Sequence, residues 1–225
     1  MPAGFQSFND AGTYQINDAN PNYVFHSAVT VTPGEQVFGN VYSTTIEVPA
    51  NCIVAFQSAV ALTPLRATGT KVQLLQARLS GAAAPVTAYI FQPQPNAPRG
   101  NAGLQVWDGA GVLKFDSAYG PLKVVDVIDG EGSFTLPSTS CAVVPVYQVK
   151  ITTDTLAGLF PSVFRLIAFT YGYIAINGNQ LTIGRADLWS WLRSFNQNSG
   201  LDFPNLGMQY VQSRYLVVDV SGIHP

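Results

Sequence analysis

Apolar and polar positions alternate through almost every readable stretch of this chain. Thr44 to Phe56 alternates and is rich in β-branched side chains, and Lys71–Leu74 and Val86–Phe91 follow the same rule. A period of two predicts strands with one buried face. The second half repeats the pattern over Leu122–Ile128, turns at Asp129-Gly130-Glu131-Gly132, and resumes over Ala142–Ile151 and Val163–Tyr173. Tyr173–Ile183 predicts a hairpin with Asn177-Gly178 as a type I′ turn, because that pair accepts positive φ at low cost. Ala186–Phe195 is ambiguous. Leu188, Trp191, Leu192 and Phe195 fit one helical face, whereas Trp189, Trp191, Arg193 and Phe195 fit one strand face. The helical reading is favoured there.

One pattern occurs twice. Gly4-Phe5-Gln6-Ser7-Phe8-Asn9-Asp10-Ala11-Gly12, followed by Ile16-Asn17, returns at a constant offset (103 − 4 = 99). The second copy is Gly103-Leu104-Gln105-Val106-Trp107-Asp108-Gly109-Ala110-Gly111, followed by Phe115-Asp116. Each copy reads as a β-hairpin: apolar alternation, a Gly/Asn/Asp turn, alternation again. Cys52 and Cys141 also have matching surroundings. Ile46-Glu47-Val48-Pro49 precedes the first, and Phe134-Thr135-Leu136-Pro137 precedes the second. The expected fold is all-β, two tandem β-sandwich-like units related by an internal duplication. The N-terminal unit spans 1–91, a Pro-rich linker spans 92–100, and the C-terminal unit spans 101–225. The linker carries three prolines and a glycine, which cannot continue a sheet. A degenerate third copy is read at the C-terminus. Gly207-Met208-Gln209-Tyr210 echoes the motif start, and Ser213–Val220 echoes Ser117–Val127.

Charge changes the picture. Only 11% of the 225 residues are charged, while 47% are hydrophobic; ~25% charged is usual. Such a chain can fill a large core. Its surface is then mostly Gln, Asn, Ser, Thr and Gly, or is covered by partners, since a free monomer carries more charge. The net charge is −2 with no Lys/Arg cluster, so no nucleic-acid partner is expected. No apolar run reaches the ~18–20 residues that span a bilayer, so no membrane insertion is expected either. Met1-Pro2-Ala3-Gly4-Phe5 lacks a signal-peptide pattern, which predicts folding in a cytoplasm. Cys52 and Cys141, each at the same buried strand position of its unit, are then expected as free thiols in preference to a Cys52–Cys141 disulfide.

No catalytic residue, cofactor site or metal site is read from the chain. His26 and His224 lie far apart, and zinc takes three or four ligands. No nucleophile elbow, phosphate loop or dinucleotide fingerprint occurs. Asp126, Asp129 and Glu131 form the tightest acidic group, read as a solvated turn in preference to a calcium loop. Trp107 is expected in the core, because its counterpart is Phe8. Gln6 and Gln105 are expected to bond across their hairpins to backbone groups. Trp189 and Trp191, beside Arg185, Asp187 and Arg193, are the candidate receptor or interface aromatics. Core, interface and ligand surface stay open for both.

The run from Gly103 to Ser117, followed by Val124-Val125-Asp126, resembles the opening of small virion proteins of tailed bacteriophages. The shared features are a Gly-Leu-Gln-Val-aromatic-Asp-x-x-Gly start, the step Phe115-Asp116-Ser117, and the Val-Val-Asp strand. The likeness covers about 25 residues of the second unit and, more faintly, the first, where Phe5 and Phe8 replace the usual Leu and Trp. It implies a non-enzymatic structural component of a virion, in the tail tip, baseplate or fibre region. It further implies a homo-oligomer, made in the host cytoplasm, that assembles with other virion proteins and contacts a host surface receptor. It brings no catalytic residue. A capsid decoration or head–tail joining protein is the alternative of the same composition. A carbohydrate-binding or depolymerising module is the alternative from another class, and it needs exposed Trp189 and Trp191.

Overall fold

The computed structural model describes residues 6–8, 14–17, 22–38, 40–77, 84–99, 103–147, 150–157, 163–195 and 213–223. Among these the chain is all-β, with 18 strands and no helix. The first half holds β1 (Gln6–Phe8), β2 (Tyr14–Asn17), β3 (Tyr23–Val31), β4 (Glu35–Phe38), β5 (Val41–Glu47), β6 (Ile53–Ser58), β7 (Leu62–Thr68), β8 (Lys71–Ala77) and β9 (Val86–Pro93). The second holds β10 (Gln105–Trp107), β11 (Leu113–Asp116), β12 (Val124–Asp129), β13 (Gly132–Thr135), β14 (Cys141–Tyr147), β15 (Lys150–Ala157), β16 (Val163–Asn177), β17 (Gln180–Phe195) and β18 (Arg214–Asp219).

These strands make two small hairpins, β1–β2 and β10–β11, and two large sheets. The six-stranded sheet runs β12-β18-β14-β6-β9-β3. The eight-stranded sheet runs β13-β17-β16-β7-β8-β5-β4, with β15 on β16. The pairings match half for half. β3–β9 and β6–β9 are answered by β12–β18 and β14–β18. β5–β8 and β7–β8 are answered by β13–β17 and β16–β17. Register agrees in detail. Val54 faces Ile90 as Val143 faces Val217. β3 slips between Phe25 and Ser27, and β12 slips between Val124 and Asp126. β1–β2 slips at Ser7/Phe8, and β10–β11 slips at Val106/Trp107.

The halves are joined edge to edge in both sheets. Val143 pairs antiparallel with Phe56, and Ile174 with Leu62. One core therefore lies between the sheets and draws on both halves, including Phe56, Leu62, Leu74, Ile90, Val143, Ile174, Leu181 and Val217. The outer face of the six-stranded sheet is buried as well, around Ala55, Tyr89, Phe91, Ala142, Val144 and Val218. That face is covered in part by the segment just before β12, which reaches β3 and packs Leu122 on it. Val24 bridges Pro121, Phe25 N donates to Gly120 O (2.6 Å), and Leu122 N donates to Tyr23 O (2.8 Å). Phe25 then packs edge-on to Phe91, with centroids 6.0 Å apart.

Several sequence expectations change. Ala186–Phe195 is strand, not helix, because β16 offers it a ladder from Phe195↔Val163 onward, interrupted only by a slip at Phe169/Thr170. Tertiary pairing decides between two periodicities that the local sequence leaves balanced. The β16–β17 turn is Gly178-Asn179, flanked by the pair Asn177↔Gln180. Gly178 has φ +61°, while Asn51 is the one non-glycine with positive φ among the described residues. Positive φ at the first turn residue alone is the type II′ pattern, not type I′. β18 pairs with β12 and β14 as β9 pairs with β3 and β6. Its place is thus that of β9, not of a third hairpin unit; residues 207–210 lie outside the described set. The stretch read as linker begins in the sheet, where Gln92 and Pro93 pair with Val24 and Tyr23. Pro93 is tolerated as the last residue of its strand.

Cys52 and Cys141 are free and buried. The β6–β14 register carries Cys141 toward Ser58, six positions beyond Cys52 (58 − 52 = 6). At ~3.3 Å per residue that is roughly 20 Å, against the ~7 Å limit between Cα atoms for a disulfide. Cys141, 1% exposed, should react with a thiol reagent only after unfolding, and oxidation of native protein should leave the two thiols separate. A Cys52–Cys141 bridge recovered from native protein would contradict this register.

Candidate interaction surface

In the second motif copy the polar groups are used to build the hairpin. Asp108 Oδ1 accepts from Val112 N (2.8 Å) and Ala110 N (2.9 Å), and Gly111, at φ +77°, closes the turn. The Val112 bond, with Lys114 Nζ 3.2 Å from Oδ2, holds the Asp108 carboxyl below the usual range. Asp116 is fully buried and accepts from Ala118 N (2.8 Å), Arg99 N (2.9 Å) and Gln105 Nε2 (3.4 Å). These bonds, that from Ala118 foremost, lower its pKa. Gln105 reaches the Asp116 carboxylate because the register sets the two residues opposite each other. Gly103 has φ +112°, and a Cβ there would overlap Ser117 Oγ, which accepts from Leu104 N (2.9 Å). Asn96 Oδ1 accepts from Leu113 N (2.8 Å), Tyr119 OH donates to Ala97 O (3.1 Å), and Arg99 lies over the Tyr119 ring. The motif fastens the hairpin to the stretch that precedes it. The first copy has the same register, Gln6 opposite Asn17; its side chains lie outside the described set.

What stays outside is apolar. Leu104 is 46% exposed, Trp107 44%, Val124 43%, Val125 38% and Val127 52%. Trp107 is therefore not a core residue. Strand alternation gives the inward position to Val106, at 6%, and turns the indole of its neighbour out. β12 pairs only with β18 among the described residues, so its other edge is open. An open strand edge bearing valines is a template for association.

The neighbouring acids do not converge on a cation. Asp129 is held by Arg214 (2.7 and 2.9 Å), which lowers its pKa, and Glu131 is held by Arg185. Among the described residues no three His, Cys, Asp or Glu side chains lie together in a metal-binding group. Trp189 and Trp191 lie on β17 opposite Phe169 and Ile167. That part of the β16–β17 hairpin also carries β15 on its other side and has no counterpart among the described residues of the first half. Both indoles fall outside the described side chains. An open apolar pocket of about 330 Å³ lies between β6 and β14, lined by Cys52, Ile53, Phe56, Pro64, Val144 and Val146 among others. β6 and β14 share only one register pair there. Pro145 offers no N–H to extend the ladder. Compared with family models, curated proteins and solved structures, the chain matches none.

The exposed valines and Trp107 were not legible as a surface. The one trace is Val124-Val125-Asp126-Val127, where two apolar neighbours break strict alternation. Gly103→Ala should destabilise the protein by about 1–3 kcal/mol, since it adds both strain and overlap; a urea midpoint unchanged from wild type would contradict the hairpin account. Asp219 ties β18 to the start of β12 through Lys123 Nζ (2.7 Å) and accepts from Ser221 N (2.9 Å), which together hold its pKa at about 2. Its folded pKa is below its ordinary value. The stabilisation is thus complete above about pH 4 and is lost as pH falls toward 2. Urea midpoints measured across that window should fall less steeply in Asp219→Asn than in wild type. Equal slopes would remove Asp219 from the acid response.

Proposed function

We propose that this protein is a non-enzymatic structural component of a bacteriophage virion, in the tail tip, baseplate or fibre region. It works by burying charge-poor β surface against copies of itself and against other virion proteins, and its outward loops meet a host surface receptor. The observation that carries this reading is the exposed apolar set on the second hairpin and β12 in a chain with only 11% charged residues. Exposed apolar patches mark interaction surfaces, and their centres are poor in charge and rich in aromatics. The polar residues of the repeated motif are occupied in folding, which supports an assembly role over a chemical one. The particle itself comes from the resemblance of Gly103–Asp126 to phage virion proteins. The matching pairings of the two halves support their descent from one duplicated unit.

Immunogold electron microscopy of lysate particles, with antibody against the purified chain, should place gold at the distal tail. Gold over the head would move the protein to decoration or joining. Antigen confined to the soluble fraction would contradict the virion reading and favour a free glycan-binding or degrading protein.

A further inference from the structure

The molecule carries an exposed aromatic side chain and a pocket lined mainly by apolar residues, and the two do not meet within one chain. One is a knob: Trp107 stands 44% exposed on the hairpin, its position fixed by the bonded turn beneath it. The other is the pocket of about 330 Å³ between β6 and β14. Its walls are buried side chains, among them Cys52, Phe56 and Val144, and its lip is Val146, 42% exposed. The pocket exists because β6 and β14 are joined at a single register pair beside Pro145. Trp107 is not among its lining residues, so the chain does not fill the pocket with its own indole. The size fits, since a cavity of about 150 Å³ already takes a benzene ring, and an indole is that ring with a five-membered ring fused to it. Leaving the ring in water and the pocket empty is unfavourable on both counts.

We propose that Trp107 of one copy seats in the β6–β14 pocket of the next. This deepens the assembly reading above and rests on it for the premise that the exposed apolar surface is buried in use. The knob and the pocket are different surfaces of one chain, so the contact is head to tail. Repetition of such a contact closes into a ring or runs on as a fibre. The scarcity of charge leaves little to oppose the approach of like chains.

The test uses two full-length variants at exposed positions, Trp107→Ala without the knob and Val146→Glu with the pocket mouth blocked by a charge. Thermal unfolding first verifies that both are folded. In analytical ultracentrifugation the wild-type chain should form higher-order species as concentration rises. Each variant alone should lose association by roughly 30-fold or more, the loss usual for an aromatic anchor. An equimolar mixture should form one-to-one heterodimers, because Val146→Glu supplies the knob and Trp107→Ala the pocket. A mixture that stays monomeric, or a Trp107→Ala chain that associates like wild type, overturns the proposal. So does wild-type chain that stays monomeric throughout, while immunogold on particles still decides the virion reading separately.

Discussion

The structure depends on two antiparallel junctions at which its halves share strands' edges. Val143 against Phe56 joins the six-stranded sheet, and Ile174 against Leu62 joins the other. All four side chains are at most 2% exposed. Taken apart, each half would present two central strand edges and half of a core to water, an arrangement prone to unwanted pairing. Joining removes those edges and merges the apolar faces of both halves into one interior. The segment just before β12 then reaches β3, where Pro121 bridges Val24. Its Leu122 packs against the second apolar face, around Phe91 and Val218.

Where the junction is complete it makes core, and where it is incomplete it makes a pocket. Pro145 lies two residues beyond Val143, and a residue without an N–H cannot extend the ladder. The same economy governs the hairpin. Asp108, Gln105, Asp116 and Ser117 are committed to turn and cross-strand bonds, which leaves Leu104 and Trp107 as the groups the hairpin offers outward. A hairpin that commits these polar groups internally and turns Leu104 and Trp107 to water offers an apolar contact surface.

Much of the fold was legible because burial on one face imposes a period of two, as in Lys71–Ala77 and Val86–Phe91. The turns at Pro49 and Pro137, each followed by a buried cysteine, marked the same strand step in both halves. Legibility failed where a choice belongs to distant partners. Nothing within Ala186–Phe195 reveals that β16 supplies a ladder for it. Trp107 copied the size of Phe8 and was read as core, but the buried face of its strand is that of Val106, and alternation puts the neighbouring indole on the other. The closing bond between Phe25 and Gly120, and the opposition of Val143 to Phe56, join residues far apart in sequence and leave no local trace.

The central claim is that the apolar set of the second hairpin and β12 is the surface this protein buries in use. Hydrogen exchange followed by mass spectrometry on the free chain and on intact particles tests it most directly. Strong added protection is expected in the particle over 104–107 and 124–127, with little change at the already buried strand β9. Equal exchange of those two segments in the free and the particle-bound chain would contradict it.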